Sequence, residues 1–235
     1  MGKSLNVKIK VGKKVIKKNG RTIKRPKYVV VRFGRTEQLG NEIIHFSLPR
    51  EWTCVGYTIW CYRYCYARGG RHMFPSVRKA RKENLKLTLR KDFEKIMVEA
   101  ITKIYNKGYR VLRLHEEGDF YSKEYVCKWI NIIKELRNRN INIFIYAYTR
   151  AWRIPQLLPY LEELRKLPNV VLIASTDDFT GPPPAGWVEA GINFCYNKYS
   201  VMCLSDQGKV PDCSDCKLCL TGKANIYFHV PNSEL

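Results

Sequence analysis

Nine cysteines are the residues of this chain whose type and spacing could do chemistry. Seven fall into two groups. Cys54, Cys61 and Cys65 lie close together in an aromatic-rich segment, and Cys203, Cys213, Cys216 and Cys219 come late. Three thiolates on one loop can hold three irons of a cubane cluster and leave the fourth iron open, and soft thiolate ligation selects iron–sulfur or zinc. Zinc at the early group would need a fourth ligand, which His72 can supply. In a third arrangement Cys54 is structural and only Cys61 and Cys65 bind. The late group, with two C-x-x-C steps, resembles ferredoxin-type ligation, and a zinc knuckle is its rival. It could also complete the early site. Cys127 and Cys195 stand alone and read as buried core thiols.

A second set of residues is titratable. His115, Glu116, Glu117 and Asp119 follow the apolar run VLRL. They can bind metal, position an amine or do acid–base work. Alternatively, Asp119 or Ser122 caps the next helix and the glutamates are solvated. Thr149, Arg150 and Trp152 follow INIFIYAY, and Ser175, Thr176, Asp177 and Asp178 follow NVVLIA. Paired carboxylates can hold a divalent ion or shape a turn. Gly118, Thr149, Arg150 and Asp177 join Glu116 and Glu117 as candidates for holding a cofactor. Asn197 and Lys198 complete the polar rim, while His45 and His229 read as sheet or core residues. Trp52, Tyr57, Trp60, Tyr62, Tyr64 and Tyr66 are interleaved with Arg63, Arg68 and Arg71. Aromatics with arginines stack unpaired bases and grip phosphates, and equally they shield a cluster from water.

These residues need elements to position them. Val77–Tyr105 has apolar residues at helical spacing, enough for one long helix or two. Tyr28–Phe33, Ile43–Leu48, Val111–Leu114, Ile141–Tyr148, Asn169–Ala174, Ile192–Tyr196 and Asn225–Val230 read as strands, with helices over Lys123–Asn138 and Ile154–Leu167. The alternation implies an α/β fold with a parallel sheet. Five or six strand units fit an incomplete (β/α) barrel or a doubly wound sheet. In both, chemistry gathers at the carboxyl ends of the strands, where the polar residues fall. The chain divides into a basic arm or hairpin over 1–36 turning at Asn19-Gly20, an α/β core over 37–200 with the three-cysteine loop, and a four-cysteine segment over 201–235 with the last strand.

Length and charge bound the partners. With 235 residues the chain can bury a real core. No run approaches the roughly 20 apolar residues that span a bilayer. The lysine-rich start shows neither a signal peptide nor a myristoylation pattern, so a cytoplasmic protein is expected. The net charge is +21. Thirteen cations precede the first acid, Glu37, and a second basic stretch runs from Arg63 to Lys95. Such clustering is the footprint of a polyanion, nucleic acid above all, though it also suits a solubilising or heat-stable surface and, as a minor option, an acidic membrane surface.

Phe46-Ser47-Leu48-Pro49, Cys61-x3-Cys65-Tyr66-Ala67, Gly118 to Ser122, Tyr146-Ala147-Tyr148-Thr149 with Trp152, and Cys213-x2-Cys216-x2-Cys219 together resemble the phage "gene product 88" family. The resemblance covers Ile43 to Cys219 and implies a viral or mobile-element origin, hence the host cytoplasm. It carries no activity with it. A more distant likeness is to radical S-adenosylmethionine enzymes. Cys54, Cys61 and Cys65 match their cluster loop by position, with x6 and x3 in place of C-x3-C-x2-C, and Glu116, Glu117 and Gly118 match the motif that holds the cofactor's amine. This likeness implies a [4Fe-4S] cluster with one open iron and S-adenosylmethionine; the cysteine groups allow one or two clusters with zinc as the rival metal, and the charge makes DNA or RNA the expected substrate. Two other functions fit the residues. One is a nucleic-acid-binding protein with structural metals. The other is a divalent-metal nuclease using Glu116, Glu117, Asp119, Asp177 and Asp178.

Overall fold

The computed structural model describes residues 4–18, 21–192 and 200–228. Two long strands, β1 (Leu5–Lys18) and β2 (Arg21–Phe33), pair antiparallel as a ribbon. Its inward residues Val7, Ile9, Val31 and Phe33 belong to the main core. Strand β3 (Ile43–Phe46) follows, then the short helices α1 (Arg50–Thr53) and α2 (Ile59–Tyr64). Next come α3 (Pro75–Thr88), α4 (Phe93–Tyr105), β4 (Val111–Leu114), α5 (Lys123–Asn138), β5 (Phe144–Thr149), α6 (Leu158–Arg165), β6 (Val170–Ser175) and β7 (Val188–Ile192). Strands β8 (Ser200–Met202) and β9 (Asn225–Phe228) flank α7 (Cys213–Cys216) and α8 (Leu218–Thr221).

Seven strands form one sheet in the order β3-β4-β5-β6-β7-β9-β8, and every pairing is parallel. The first five follow chain order, so no strand-order reversal divides that part of the sheet. Among the described residues β3 and β8 are its two edges, so the parallel α/β sheet expected from the alternation is present as an open sheet. Among the described residues it has seven strands instead of five or six, because the three-residue β8 carries no alternation a sequence can reveal.

Alternation along the strands divides the core. Ile44, Phe46, Leu112, Leu114, Ile145, Ala147, Leu172 and Ala174 face the helical layer. There Phe46, Phe93, Tyr125 and Trp129 pack edge-on or tilted. Ile43, Val111 and Tyr146 face the other way, onto Cys213, Cys219 and Leu220. The C-terminal cysteines therefore cover the second face of the sheet.

The apolar run from 77 to 105 is two helices, separated around Arg90, whose guanidinium clamps Asp92 at 2.7 and 2.8 Å. α5 has the expected bounds, and the Ser122 hydroxyl accepts from Tyr125 N. α6 starts later than expected: Ala151–Arg153 is a 3-10 turn, and Pro159 sits in the first helical turn. β7 precedes the strand expected at Ile192–Tyr196, most of which lies outside the described residues, as do the Asn19-Gly20 turn, Cys195, Asn197, Lys198 and His229. Cys127 is half-buried on α5 and not a core thiol. Among the described residues no helix is long and apolar enough to cross a membrane.

Candidate functional site

The early cysteines lie on the loop leaving the carboxyl end of β3. Cys54 caps α1, its N–H bonding to Arg50 O at 3.1 Å, and Cys61 lies within α2, which ends at Cys65. Thr58 fixes this loop. Its hydroxyl caps α2 by accepting from Cys61 N at 3.0 Å. It also accepts from Arg150 Nη1 at 2.8 Å and donates to Asp177 Oδ2 at 2.6 Å. Arg150 pairs with Asp177 and donates to Ser175 Oγ at 3.1 Å. The placement of Cys61 is thus set by groups at the ends of β5 and β6. Gly56 presses against the same place, where a Cβ would overlap the carbonyl of Arg150.

The three thiols share one electrostatic neighbourhood. Burial pushes Cys54 up, and the charges of Asp119 and Cys65 add to that. A hydrogen bond from Cys61 lowers Cys65 to about 6, helped by Ala67 N–H and by Arg50, whose guanidinium lies 4.0 Å from its sulfur. Cys61, the donor of that bond, moves up. All eight described cysteines are free thiols. No group of three His, Cys, Asp or Glu among the described residues is arranged to hold a metal ion.

Glu116 and Glu117 are not solvated. Arg81, reaching in from α3, pairs with Glu117 and lies 3.4 Å from Glu116. Glu117 also accepts from Arg50 N at 3.3 Å and lies 3.3 Å from His72 Nδ1. Arg81 donates to that nitrogen at 2.8 Å. His45 Nε2 is 3.2 Å from Glu116, while its Nδ1 is 2.8 Å from Ser47 Oγ. Burial lowers His45 to about 4, so this contact is a neutral hydrogen bond and not an ion pair. Burial raises Glu116, but the basic groups around it outweigh burial and hold it below the usual range. Tyr66 leaves its ring in solvent and sends its hydroxyl inward to Glu116 O.

His115 and Asp119, the other candidates for acid–base work, are buried and hydrogen-bonded within the protein. His115 takes φ 64°, a left-handed conformation uncommon outside glycine. It is buried, its Nε2 lies 3.0 Å from Tyr125 OH, and burial lowers it to about 3. Asp119 accepts from Phe120 N, Thr149 Oγ1, Arg150 N and Ala151 N at 2.6–3.2 Å, tying the β4 loop to the β5 loop. Burial still lifts it to about 6. Gly118, at φ 88°, packs on Leu48 and Thr53, where a Cβ would clash. Thr149, Arg150 and Asp177 hold loops together in the same way, and Asp178 is exposed. Of the five acids considered for a divalent-metal nuclease, the other four are each paired with a cation or with N–H and O–H donors.

The late cysteines gather on the opposite face of the sheet from the main core. Burial raises Cys213 to about 12, and Cys219, Cys203 and Cys216 act on it in turn. Tyr148 OH lies 2.7 Å from Cys219 Sγ. Arg113 of β4 stacks 5.1 Å over the Tyr148 ring, and its charge reaches Glu116 on one side and Cys213 and Cys219 on the other. Arg113, Arg81, Arg50 and Thr58 were not singled out from the sequence. The one legible signal was Arg113, a charge inside an otherwise apolar strand.

Around the early loop the surface is aromatic and basic. Trp52, Tyr57, Tyr62, Tyr64, Tyr66 and Phe74 are exposed. Beside them, α3 carries a groove of about 430 Å³ lined by Met73, Arg78, Lys79, Lys82 and Lys86, among others.

Fold and site define an α/β protein with an open parallel sheet, a thiol-bearing loop behind its first strand, and a second thiol group on the face opposite the main core. The chain belongs to the Gene product 88 family, whose model matches residues 13–197. It is 24% identical over 204 residues to the Gene 88 protein of Mycobacterium phage L5, covering 75% of this chain and 81% of that protein. It is 25% identical over 144 residues to the Gene 88 protein of Mycobacterium phage D29, covering 52% and 55%. Both relatives are phage proteins, in keeping with a viral origin. No solved structure matches.

Proposed function

We propose that the chain is an iron–sulfur protein that acts on nucleic acid in the host cytoplasm, with Cys54, Cys61 and Cys65 holding a [4Fe-4S] cluster that has one open iron. Cys203, Cys213, Cys216 and Cys219 hold a second cluster. What supports this reading is that three free thiols share one loop and act on one another's charge, and that the loop is fastened to the carboxyl ends of β5 and β6. Such ends are where chemistry gathers in parallel sheets. An open iron of this kind supplies a coordination place for an amine and carboxylate, as S-adenosylmethionine offers, and a source of one electron.

The chain's own residues do the positioning. Thr58, Arg150 and Asp177 orient Cys61, and Arg50 stabilises a thiolate at Cys65. Glu116 and Glu117, paired with Arg81, anchor α3 against the loop and are not left free to grip a cofactor's amine. Exposed aromatics around the loop offer stacking faces for unpaired bases, and the cationic groove on α3 offers contacts to phosphate.

The test is oxygen-free purification followed by assay of iron, acid-labile sulfide and zinc per chain. About seven or eight irons with matching sulfide support two clusters. Replacing Cys54, Cys61 and Cys65 by Ser should remove about half of that iron, and S-adenosylmethionine should then perturb the electron paramagnetic resonance of the unsubstituted chain only. Zinc with negligible iron would overturn the cluster and leave a nucleic-acid-binding protein with structural metals.

A further inference from the structure

The β1–β2 ribbon has two unlike halves. Nearest the body, Val7, Ile9, Val31 and Phe33 are buried in the main core. A bulge between Lys10 and Gly12 marks the change. Beyond it the described side chains, at 12–15, 17, 22 and 24–28, are all exposed. At about 3.3 Å per residue this half reaches roughly 20 Å from the body.

The register sorts its charges. Lys14 pairs with Arg25 and Gly12 with Lys27, which places Lys14, Arg25 and Lys27 on one face. Lys13 pairs with Pro26, Val15 with Lys24 and Lys17 with Thr22, which places Lys13, Lys17 and Lys24 on the other. Both faces are cationic, and no acid occurs before Glu37. A ribbon lying on a flat acidic surface, such as a bilayer, would use one face only. Two cationic faces match a partner with phosphates on both sides. The B-DNA major groove, about 12 Å wide, admits a two-stranded ribbon, whereas the A-form RNA groove is too narrow.

We propose that the protruding half of the ribbon is a duplex-DNA arm that lies edge-on in the major groove, its two faces turned to the two phosphate backbones. This rests on the nucleic-acid partner proposed above and assigns it a form and a binding element. At its base Arg32 of β2 pairs with Glu83 of α3, and Asn84 bonds the backbone of Arg32. The arm is thereby joined to the helix that carries the basic groove.

The experiment measures binding of the full chain to a short fluorescent DNA duplex, to one of its strands, to an RNA duplex of the same sequence, and to phosphatidylserine vesicles, over a range of salt. Two triple variants are compared, Lys13→Gln/Lys17→Gln/Lys24→Gln and Lys14→Gln/Arg25→Gln/Lys27→Gln. All six side chains are exposed, so circular dichroism and melting should stay unchanged. Each triple should weaken binding to duplex DNA by at least about tenfold and reduce the salt slope by about 3. If only one triple has an effect, or if the single strand, the RNA duplex or the vesicles bind as tightly, the groove arm is overturned. If duplex binding survives both triples, the arm is wrong while a nucleic-acid partner stands. If no nucleic acid binds, both are wrong.

Discussion

Thr58 is the residue on which the candidate site turns, because a single hydroxyl serves three partners. It accepts from Cys61 N–H and Arg150, and it donates a hydrogen bond to Asp177. Thr58→Val keeps the shape and deletes all three bonds, leaving a buried carboxylate with one partner fewer. Unmet buried polar groups cost about 1–3 kcal/mol. The variant is expected to fold, to melt a few degrees lower, and to lose iron from the early site while keeping the late complement, as read by iron and sulfide per chain. Full iron retention would show that Thr58 does not orient Cys61. Gly56 gives a steric counterpart. A methyl there meets the Arg150 carbonyl, so Gly56→Ala should lower stability by about 1–3 kcal/mol in urea titration, the usual scale for overpacking. Neither residue stands out in the sequence. Thr58 and Asp177 are 119 positions apart, and nothing local marks them as a pair. The same holds for Glu116 and Glu117, which look solvated until Arg81 reaches them from α3. What was legible at this scale was the cysteines, whose type alone limits what they can do.

Elements were legible where their ends carry their own chemistry. α5 has an apolar stripe and a Ser122 cap, and its observed bounds are those its sequence implies. Removing the cap by Ser122→Ala frees Tyr125 N–H and should cost about 1 kcal/mol, measurable by urea denaturation at neutral pH. A loss near zero would mean that packing of Tyr125 and Trp129 alone holds the first turn. β6 was legible for a related reason: a strand buried on both faces reads as a continuous apolar run, here VVLIA. Legibility failed where tertiary contact decides. β8 is three half-buried residues that are a strand only because β9 lies beside them. Whether β3 and β8 meet depends on the curvature of the whole sheet, which no segment encodes. The ribbon shows the middle case. Its apolar alternation near the body marked a strand, but the length of the paired region is fixed by cross-strand bonds that continue past the last apolar residue buried in the core.

At the scale of the whole molecule, buried titratable groups set how the fold responds to acid. His45 and His115 are held neutral by burial, at about 4 and about 3, against 6.5 in an unfolded chain. Between those values the unfolded chain binds more protons, so both histidines make stability fall as pH falls below 6.5. Asp119 works in the opposite sense. Burial raises it to about 6 from 3.8, so between those values the folded chain binds the extra proton and gains stability on acidification. From pH 6 to 5 the two histidines outweigh the one aspartate by about one proton. One proton corresponds to a loss of about 1.4 kcal/mol per pH unit. His115→Asn removes one of the two histidines and keeps a residue that tolerates the left-handed φ. Its stability between pH 6 and 5 should therefore be nearly flat, even if lower overall because Tyr125 loses a partner. Urea titrations at several pH values across that interval, on both chains, measure the two slopes. Equal slopes would mean that His115 is not held neutral in the fold. The acid response would then have to come from the Glu116, His45 and Arg81 network beside the cysteine loop, and replacing Glu116 by Gln would flatten the slope instead.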